Sequence, residues 1–266
     1  MSGDTGTGTA GKPLGGRVPD TEIGAMTVLP ALRENIEIVT EDGLTLVGEL
    51  ALPASGRIAA TLITLHPLPT HGGFMDSHVL RKAAWRLPAL ADIAVLRFNT
   101  RGTSSPRGAS QGRFDEGEGE AADVRAAVRF AVDRGLPHRW LLGWSFGTEL
   151  ALKYGAELDV EGAVLMSPPF HRATAIDLGG WAQSGKPVTI LVPEFDEFLP
   201  PERAIPAFAP LVAAHMITVD GAKHLWVGEK YVRIVLDYIV EAVTPGAGPL
   251  SATVPTEIVS APGGPS

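Results

Sequence analysis

The chain has 266 residues, of which 45% are hydrophobic, so it is long enough to form one large domain with a sizeable core. Its formal net charge is −8 and its 22 basic residues are scattered, so nucleic acid is not expected as a partner. The chain has no cysteine, which excludes disulfide bonds, cysteine nucleophiles and thiolate metal sites.

The two ends of the chain differ in composition from its middle. Residues 1–20 carry six Gly and residues 245–266 carry five Pro, and such segments cannot bury enough apolar surface to offset their ordering entropy. We therefore predict flexible tails at residues 1–30 and 245–266 around a single domain at residues 31–244. The N-terminus lacks an apolar signal segment and no run of about 18 apolar residues occurs. These features predict a cytoplasmic protein that does not associate with membranes.

The strand signals come first in chain order. Residues 34–40 and 44–52 predict a β-hairpin, because the Asp-Gly pair between them is a strong turn signal. Short and almost wholly apolar runs follow, as expected for strands that are buried on both faces of a parallel sheet. These runs are Ala59–Leu65, Ile93–Phe98, Trp140–Trp144, Gly162–Met166 and Val188–Val192, with a less uniform sixth run at His215–Val219.

Helical segments alternate with these strands. Residues 118–134 and 228–243 each place apolar side chains on one face at helical spacing, and Gly135 ends the first of them. Residues 148–154 predict a further helix that Gly155 ends. This alternation predicts an α/β protein with a mostly parallel, doubly wound sheet and helices on both faces.

The pentapeptide G-x-S-x-G, which is typical of serine hydrolases, occurs twice. Residues 108–112 contain it in a polar stretch that has no strand before Ser110 and no helix after it, so we interpret this copy as a loop. Residues 143–147 contain it between a predicted strand and a predicted helix, which is the context that a nucleophile elbow requires. Ser145 is therefore the predicted nucleophile, and a helix-capping serine is the alternative.

A serine nucleophile needs a base and an orienting acid. After a nucleophile elbow in an α/β fold of this kind, the acid comes first in the chain and the histidine second. His224 lies in a predicted loop after a strand and is the predicted base, whereas His215 lies inside that strand. Asp196 is the predicted acid because it follows the strand at residues 188–192. Glu194 and Glu197 are the alternative acids; without such a role they would form a solvated acidic rim.

The loop after the first central strand, residues 66–73, predicts part of an oxyanion hole. One backbone N–H would come from Phe146, directly after the nucleophile, and one from Leu68, since Pro67 and Pro69 have no N–H to donate. The Gly72–Gly73 pair permits a close backbone approach; an ordinary turn is the alternative. No third ligand with suitable spacing accompanies the histidines of this loop, so no metal site is predicted.

These motifs, in this order, make residues 35–243 resemble a compact bacterial α/β hydrolase of the dienelactone-hydrolase-like kind. The motifs are His66-Pro67 with Gly72-Gly73, Phe98-Asn99-Thr100-Arg101-Gly102, the elbow at residues 143–147, Asp196-Glu197-Phe198 and Gly221-Ala222-Lys223-His224. The resemblance implies an eight-stranded sheet whose second strand is antiparallel, and a triad of Ser145, Asp196 and His224. Dienelactone hydrolases themselves use a cysteine nucleophile, which this chain lacks, so their lactone chemistry is not implied.

The lid of such hydrolases usually lies between the sixth and seventh strands of the sheet. Here only residues 168–186 are available, which allows a short helix near residues 176–183 and predicts a minimal cap or none. We expect an open site whose possible walls are aromatic. These candidate wall residues are Trp144, Phe170, Trp181 and Trp226.

The sequence thus predicts a serine hydrolase that cleaves a small to medium ester, without a metal or cofactor. A thioesterase, amidase or peptidase with the same triad is an alternative that the sequence does not separate. A non-catalytic binding module on the same fold is a second alternative, because fold does not dictate function. The sequence does not predict the oligomeric state.

Overall fold

The structure is a computed structural model, and it describes residue 1 and residues 19–260. Its strands are, in chain order, β1 (Asp20–Glu22), β2 (Leu32–Val39), β3 (Thr45–Leu52), β4 (Ala60–Leu65), β5 (Ile93–Phe98), β6 (Ser104–Ser105), β7 (Gly108–Ala109), β8 (Arg139–Trp144), β9 (Gly162–Met166), β10 (Val188–Phe195), β11 (Ala214–Lys223) and β12 (Thr253–Pro255). Its helices are α1 (His78–Ala91), α2 (Glu120–Asp133), α3 (Phe146–Tyr154), α4 (Ala175–Ser184), α5 (Pro201–Phe208), α6 (Glu229–Val243) and α7 (Thr256–Ser260).

Eight strands form one main sheet in the order β11-β10-β9-β8-β4-β5-β3-β2. The hairpin β2–β3 is antiparallel, β3 also pairs antiparallel with β5, and the remaining pairs are parallel. The predicted eight-stranded sheet with an antiparallel second strand is therefore confirmed. Because parallel strands end at the same edge, the loops after β4, β8, β10 and β11 meet there.

Helices cover both faces of the main sheet and make two separate cores. On one face, α2, α3, α4 and α5 contribute buried side chains that include Val124, Leu150, Trp181 and Phe208. On the other face, α1 and α6 contribute Leu80 and Leu236, among others. The sheet is buried between these layers, which explains why the sequences of β4, β5, β8 and β9 are mostly apolar.

Within residues 31–244, the sequence does not predict two helices and one small hairpin that the structure contains. Helix α1 buries Val79, Leu80, Ala83, Ala84 and Leu87, a spacing that fits one helical face. Its pattern is obscured by basic side chains, among which Lys82 and Arg86 are themselves buried, and by an internal proline. Helix α5 also has an internal proline, and the hairpin β6–β7 has only two residues in each strand.

Strands β10 and β11 extend further than the apolar runs predict. β10 continues to Phe195 and β11 continues to Lys223, where the two residues pair again beyond an irregularity in the register. Glu194 and Asp220, which were expected in loops, are therefore strand residues. The extension matters because it carries both strands up to the residues that form the candidate site.

The segments next to the chain ends differ from the prediction of flexible tails. Strands β1 and β12 pair antiparallel, and Ile23, Leu29 and Val254 form a small apolar cluster with Leu90 of α1. The structure therefore places residues 20–30 and 245–260 against the domain, because a few large apolar side chains interrupt their Gly- and Pro-rich sequence. The rest of the predicted tails, residues 2–18 and 261–266, lie outside the described residues.

Between β9 and β10 the chain forms only α4 and its connections, so the prediction of a minimal cap or none is confirmed. Helix α4 begins with a capping box in which Thr174 and Asp177 satisfy each other's backbone N–H groups. No described helix is both long and apolar enough to cross a membrane.

Charged side chains are buried at the β3–β5 pair. Glu49 and Arg97 are cross-strand neighbours that form an ion pair with almost no exposure to solvent. Arg97 also pairs with Asp76, and Arg107 reaches both carboxylates at 2.7 and 3.1 Å. The Glu49–Arg97 ion pair thereby links β3 to β5 within the sheet. Asp76 connects the segment before α1 to the same group of charges.

We expect Arg97→Leu to destabilise the protein by about 3–5 kcal/mol, because two carboxylates would remain in a poorly hydrated site with less positive charge. The matched control is Arg134→Leu, which breaks an exposed ion pair with Glu34 whose side chains are 40% and 41% exposed. That change should cost less than about 1 kcal/mol. Urea unfolding followed by circular dichroism measures the free energy of unfolding of both variants. Equal losses of stability would contradict the stabilising role of the buried ion pairs of Arg97.

Candidate active site

Ser145 lies in the sharp turn between β8 and α3. Its backbone has φ 52° and ψ −116°, a conformation that is strained for a residue with a side chain. Three hydrogen bonds hold the turn: Ser145 N–H donates to the Met166 carbonyl, and both the N–H and the hydroxyl of Thr148 donate to the Ser145 carbonyl. The serine therefore sits at the C-terminal edge of the main sheet, directly before the N-terminus of α3.

The two glycines of the pentapeptide are required by close backbone contacts. A Cβ atom on Gly143 would lie 2.6 Å from the Gly147 carbonyl oxygen. A Cβ atom on Gly147 would overlap the carbonyl oxygen of Leu65, the last residue of β4. Because β4 pairs with β8, these contacts pack the turn directly against the end of the neighbouring strand.

The structure brings Ser145, His224 and Asp196 into one chain of hydrogen bonds. The Ser145 Oγ lies 2.8 Å from His224 Nε2, and His224 Nδ1 lies 2.9 Å from Asp196 Oδ2. The side chains of His224 and Asp196 are almost fully buried, whereas Ser145 is half-buried. This is the arrangement in which a carboxylate fixes an imidazole tautomer and the imidazole accepts a serine proton.

The neighbouring carboxylates have other contacts. The second oxygen of Asp196, Oδ1, accepts hydrogen bonds from the N–H groups of Phe198 and Leu199, which orient the carboxylate toward His224. Glu194 instead accepts the Gly221 N–H at 2.6 Å, and Glu197 is exposed. Of the three acidic residues considered from the sequence, only Asp196 contacts the imidazole of His224.

The backbone of His224 is also held in place. Its carbonyl oxygen accepts hydrogen bonds from Trp144 Nε1 at 3.2 Å and from Ser167 Oγ at 3.1 Å. The Ser167 hydroxyl in turn accepts Trp226 Nε1 at 2.8 Å. His215 lies in β11 as the sequence predicts, at register with Thr189 near the opposite end of the strand.

This network changes the interpretation of the predicted aromatic walls. Trp144, Trp181 and Trp226 are at most 2% exposed, and each indole N–H is hydrogen-bonded inside the protein, Trp181 to carbonyls of α3. The three tryptophans are core residues, so the prediction that they wall an open site is wrong. Phe170 is half-buried against Phe208, and its role as a wall stays a prediction.

Phe198 is an aromatic residue near the site that sequence reasoning did not single out as a wall. Its ring centroid lies 4.5 Å from that of His224 in an edge-to-face arrangement, and its side chain remains 47% exposed. On its other side it approaches His171 at 6.0 Å. Because its N–H also binds Asp196, Phe198 links the acid loop to the imidazole.

Glu149 is a second residue that the sequence did not reveal. This fully buried carboxylate of α3 accepts three successive backbone N–H groups, those of His171, Arg172 and Ala173. It thereby fixes the connection between β9 and α4, which carries Phe170 and His171. An acidic residue in the first turn of a helix usually signals only a favourable interaction with the helix dipole, so the pattern gave no indication of this contact.

The loop after β4 has the features expected of an oxyanion loop. Gly72 has φ 80°, and a Cβ atom on Gly73 would overlap the Pro67 carbonyl oxygen, so both glycines are required for the loop to fold back. The N–H of Gly73 donates to the Leu68 carbonyl at 3.0 Å. Among the described residues, the N–H groups of Leu68 and Phe146 find no acceptor, which leaves both free to bind a ligand oxygen.

His66 lies beneath this loop and is fully buried. Its Nδ1 lies 2.7 Å from the Pro67 carbonyl oxygen and its Nε2 lies 3.0 Å from the Thr100 backbone nitrogen. Burial in this apolar environment lowers the pKa of His66 to about 4. The imidazole is therefore neutral at physiological pH and connects the loop after β4 with the loop after β5.

The second copy of the pentapeptide proves to be structural. The Ser110 hydroxyl donates to the Asn99 carbonyl at 2.7 Å and accepts the Val47 N–H at 3.0 Å. Ser110 is buried, with its hydroxyl engaged on both sides, and it ties the segment after β7 to β3 and β5. The prediction that this copy is not an elbow agrees with its contacts.

No family model matches the chain. A curated relative, an uncharacterised protein of Rickettsia prowazekii, is 29% identical over 150 residues, which is 55% of this chain and 60% of that protein's length.

Solved structures match over most of the chain. A lidless α/β serine hydrolase of Xanthomonas campestris has a TM-score of 0.66 at 24% identity and covers 81% of this chain and 95% of its own. A serine hydrolase homologue of Coxiella burnetii has a TM-score of 0.66 at 26% identity over 78% and 96%. A putative α/β hydrolase of Agrobacterium tumefaciens has a TM-score of 0.67 at 23% identity over 81% and 99%. The chain is therefore a compact, lidless α/β-hydrolase-fold protein, as its motifs predict.

The depressed pKa of His66 predicts a specific loss of stability in acid. Between its unfolded pKa of 6.5 and its folded pKa of about 4, only the unfolded state binds the proton. Stability should fall as the pH decreases through this window, by about 3 kcal/mol in total, and the loss should level off below pH 4. Urea unfolding at intervals from pH 7 to pH 4 measures it, and His66→Gln should lack this component. An identical pH dependence in the variant would contradict the assignment.

Proposed function

We propose that this protein is a serine hydrolase that cleaves a small to medium ester through an acyl-enzyme. The observation that carries the proposal is the continuous hydrogen-bond chain from Ser145 Oγ through His224 to Asp196, at 2.8 and 2.9 Å. The similarity to the serine hydrolase of Xanthomonas and to the serine hydrolase homologue of Coxiella supports the coarser assignment as a hydrolase.

In the first step, Ser145 Oγ attacks the ester carbonyl carbon while His224 Nε2 accepts the hydroxyl proton. The carbonyl π electrons move to its oxygen, and the backbone N–H groups of Phe146 and Leu68 stabilise the resulting oxyanion. Asp196 holds the imidazolium through Nδ1 without accepting its proton. When the tetrahedral intermediate collapses, His224 gives the proton to the leaving alcohol and the acyl group remains on Ser145.

In the second step, a water molecule replaces the alcohol. His224 removes a proton from the water as it attacks the acyl carbonyl, and the same two N–H groups hold the second oxyanion. Collapse expels Ser145 Oγ, which regains its proton from His224, and the carboxylic acid leaves. Every proton is exchanged with His224, so the mechanism requires no metal or cofactor. We infer a small-molecule ester as the partner and a cytoplasmic location for the enzyme.

The preference for small to medium esters follows from the short β9–β10 connection. With only α4 in this segment, no cap domain encloses a long acyl chain. Two apolar side chains next to the imidazole are accessible: Phe198, which contacts the His224 ring, is 47% exposed, and Leu225, directly after His224 in the chain, is 55% exposed. Such an open rim favours a compact apolar acyl group over an extended one.

Labelling with a fluorophosphonate probe tests the nucleophile. The wild-type protein should form a covalent adduct at Ser145, and Ser145→Ala should abolish the adduct while leaving the melting temperature similar. Ser110→Ala serves as the matched control for the second pentapeptide; if folded, this variant should still label. Absence of labelling in the wild type, or undiminished labelling of Ser145→Ala, would overturn the proposal.

A panel of p-nitrophenyl esters with acyl chains of two to twelve carbons tests the substrate class. We expect kcat/KM to be highest for the short and medium chains, because the site lacks a cap. Matched thioesters and anilides in the same assay distinguish an esterase from a thioesterase or an amidase with the same three residues. A maximum at the longest chains would contradict the proposed size preference.

The role of Asp196 is tested against its acidic neighbour. Asp196→Asn should lower kcat by about four orders of magnitude, because an amide favours the wrong imidazole tautomer. Glu197→Gln removes an exposed carboxylate one residue away and should leave kcat within about twofold. If both variants lost a comparable amount of activity, the negative charge of the loop, and not the contact of Asp196 with His224, would control activity.

A further inference from the structure

The hydrogen bonds of His66 define its tautomer. The Thr100 backbone N–H, 3.0 Å from Nε2, can only donate, so Nε2 must be the unprotonated acceptor. The Pro67 carbonyl oxygen, 2.7 Å from Nδ1, can only accept, so Nδ1 must carry the proton. The neutral ring thus donates at one end and accepts at the other, and neither bond survives in the opposite tautomer.

The Pro67 carbonyl that receives this proton belongs to the same peptide unit as the Leu68 N–H. The unit is planar and trans, so the carbonyl and the N–H point in opposite directions. A hydrogen bond that fixes the carbonyl therefore also fixes the direction of the N–H. It also polarises the amide, which strengthens the N–H as a donor.

We propose that His66 is a positioning residue that aims and polarises the Leu68 N–H toward the substrate oxyanion. This inference rests on the proposed function, in which Leu68 is one of the two oxyanion donors. His66 does not touch the substrate; it acts through the Pro67–Leu68 peptide unit. Its other contact, with Thr100, anchors the ring on the loop after β5.

Apart from the bond to His66, the described residues make no hydrogen bond to the Pro67 carbonyl or the Leu68 N–H. Gly73 approaches so closely that a Cβ atom there would overlap the Pro67 carbonyl oxygen, and it contributes a hydrogen bond only to the next carbonyl, that of Leu68. Within the part of the chain that the structure describes, His66 is the only hydrogen-bond partner recorded for the Pro67 carbonyl. The low pKa of the buried ring, about 4, keeps it neutral across the working pH range of an esterase.

Two variants at the same position separate the two contacts of the ring. In His66→Asn the side-chain NH₂ takes the place of Nδ1 and can still donate to Pro67, whereas the contact with Thr100 is lost. In His66→Gln the side-chain oxygen takes the place of Nε2 and can still accept from Thr100, whereas the donor to Pro67 is lost. Both variants remove a buried imidazole, so both should lose stability, and the melting temperature of each is measured.

We expect His66→Gln to lower kcat for a short p-nitrophenyl ester by 10- to 100-fold with KM changed less than threefold, below the full loss of an oxyanion donor. His66→Asn should retain at least tenfold more kcat than His66→Gln. Affinity for a trifluoromethyl ketone, which forms an oxyanion on Ser145, should fall in parallel with kcat. A purely structural role would lower both variants together, in proportion to the folded fraction, and that outcome would overturn the inference.

The failure of the proposed function would look different. If the wild type neither labels at Ser145 nor cleaves esters, the hydrolase assignment is wrong and the kinetic comparison has no basis. If the wild type is active through Ser145 and His66→Gln matches it in kcat, only the positioning role is wrong. Nitrogen-15 NMR of histidine-labelled protein tests the tautomer independently: we expect His66 to be protonated at Nδ1 alone at pH 7, and protonation at Nε2 would overturn the inference.

Discussion

The backbone turn at Ser145 is the constraint on which the rest of the site depends. A residue with φ 52° and ψ −116° is held there only because its surroundings leave no relaxed alternative. Gly143 and Gly147 allow the start of α3 to press against both β8 and the last carbonyl of β4. The turn is thus joined to the strand that leads into the loop of Leu68. The proposed nucleophile and the proposed oxyanion donor therefore follow two paired strands whose ends are in direct contact.

The proposed base, His224, is attached to this part of the sheet through hydrogen bonds to its backbone carbonyl. Trp144 occupies the first x position of the G-x-S-x-G pentapeptide, and its indole N–H donates a hydrogen bond to the His224 carbonyl. Ser167, at the end of the neighbouring strand β9, holds the same carbonyl. The imidazole ring therefore has its backbone fixed by the elbow strand, its Nδ1 fixed by Asp196 and its face covered by Phe198. Because these contacts hold the backbone and Nδ1 of His224, its Nε2 remains directed at Ser145.

The sequence was sufficient for those parts of the fold that follow local rules. The apolar runs of β4, β5, β8 and β9 report burial on both faces, and the order of the predicted acid and base follows from the order of the strands. Contacts that join distant residues left no such pattern. The sequence does not reveal helix α1, because Lys82 and Arg86 interrupt its apolar pattern as exposed residues would. Both are buried against Glu229, which lies 147 and 143 residues away in the chain. The tryptophans were misassigned for the same reason, since an indole beside a motif indicates nothing about where its N–H binds.

The two copies of the pentapeptide place their serines in different chemical surroundings. In both copies a glycine lies two residues before the serine and another two residues after it, and both hydroxyl groups are hydrogen-bonded. The Ser110 hydroxyl donates to a carbonyl, which cannot take its proton, and it accepts an N–H that further restrains it. The Ser145 hydroxyl has an imidazole at 2.8 Å, a partner that can remove the proton when a carbonyl carbon approaches. The proposed reactivity of Ser145 therefore depends on the basicity of its acceptor, which the fold places next to Ser145 and not next to Ser110.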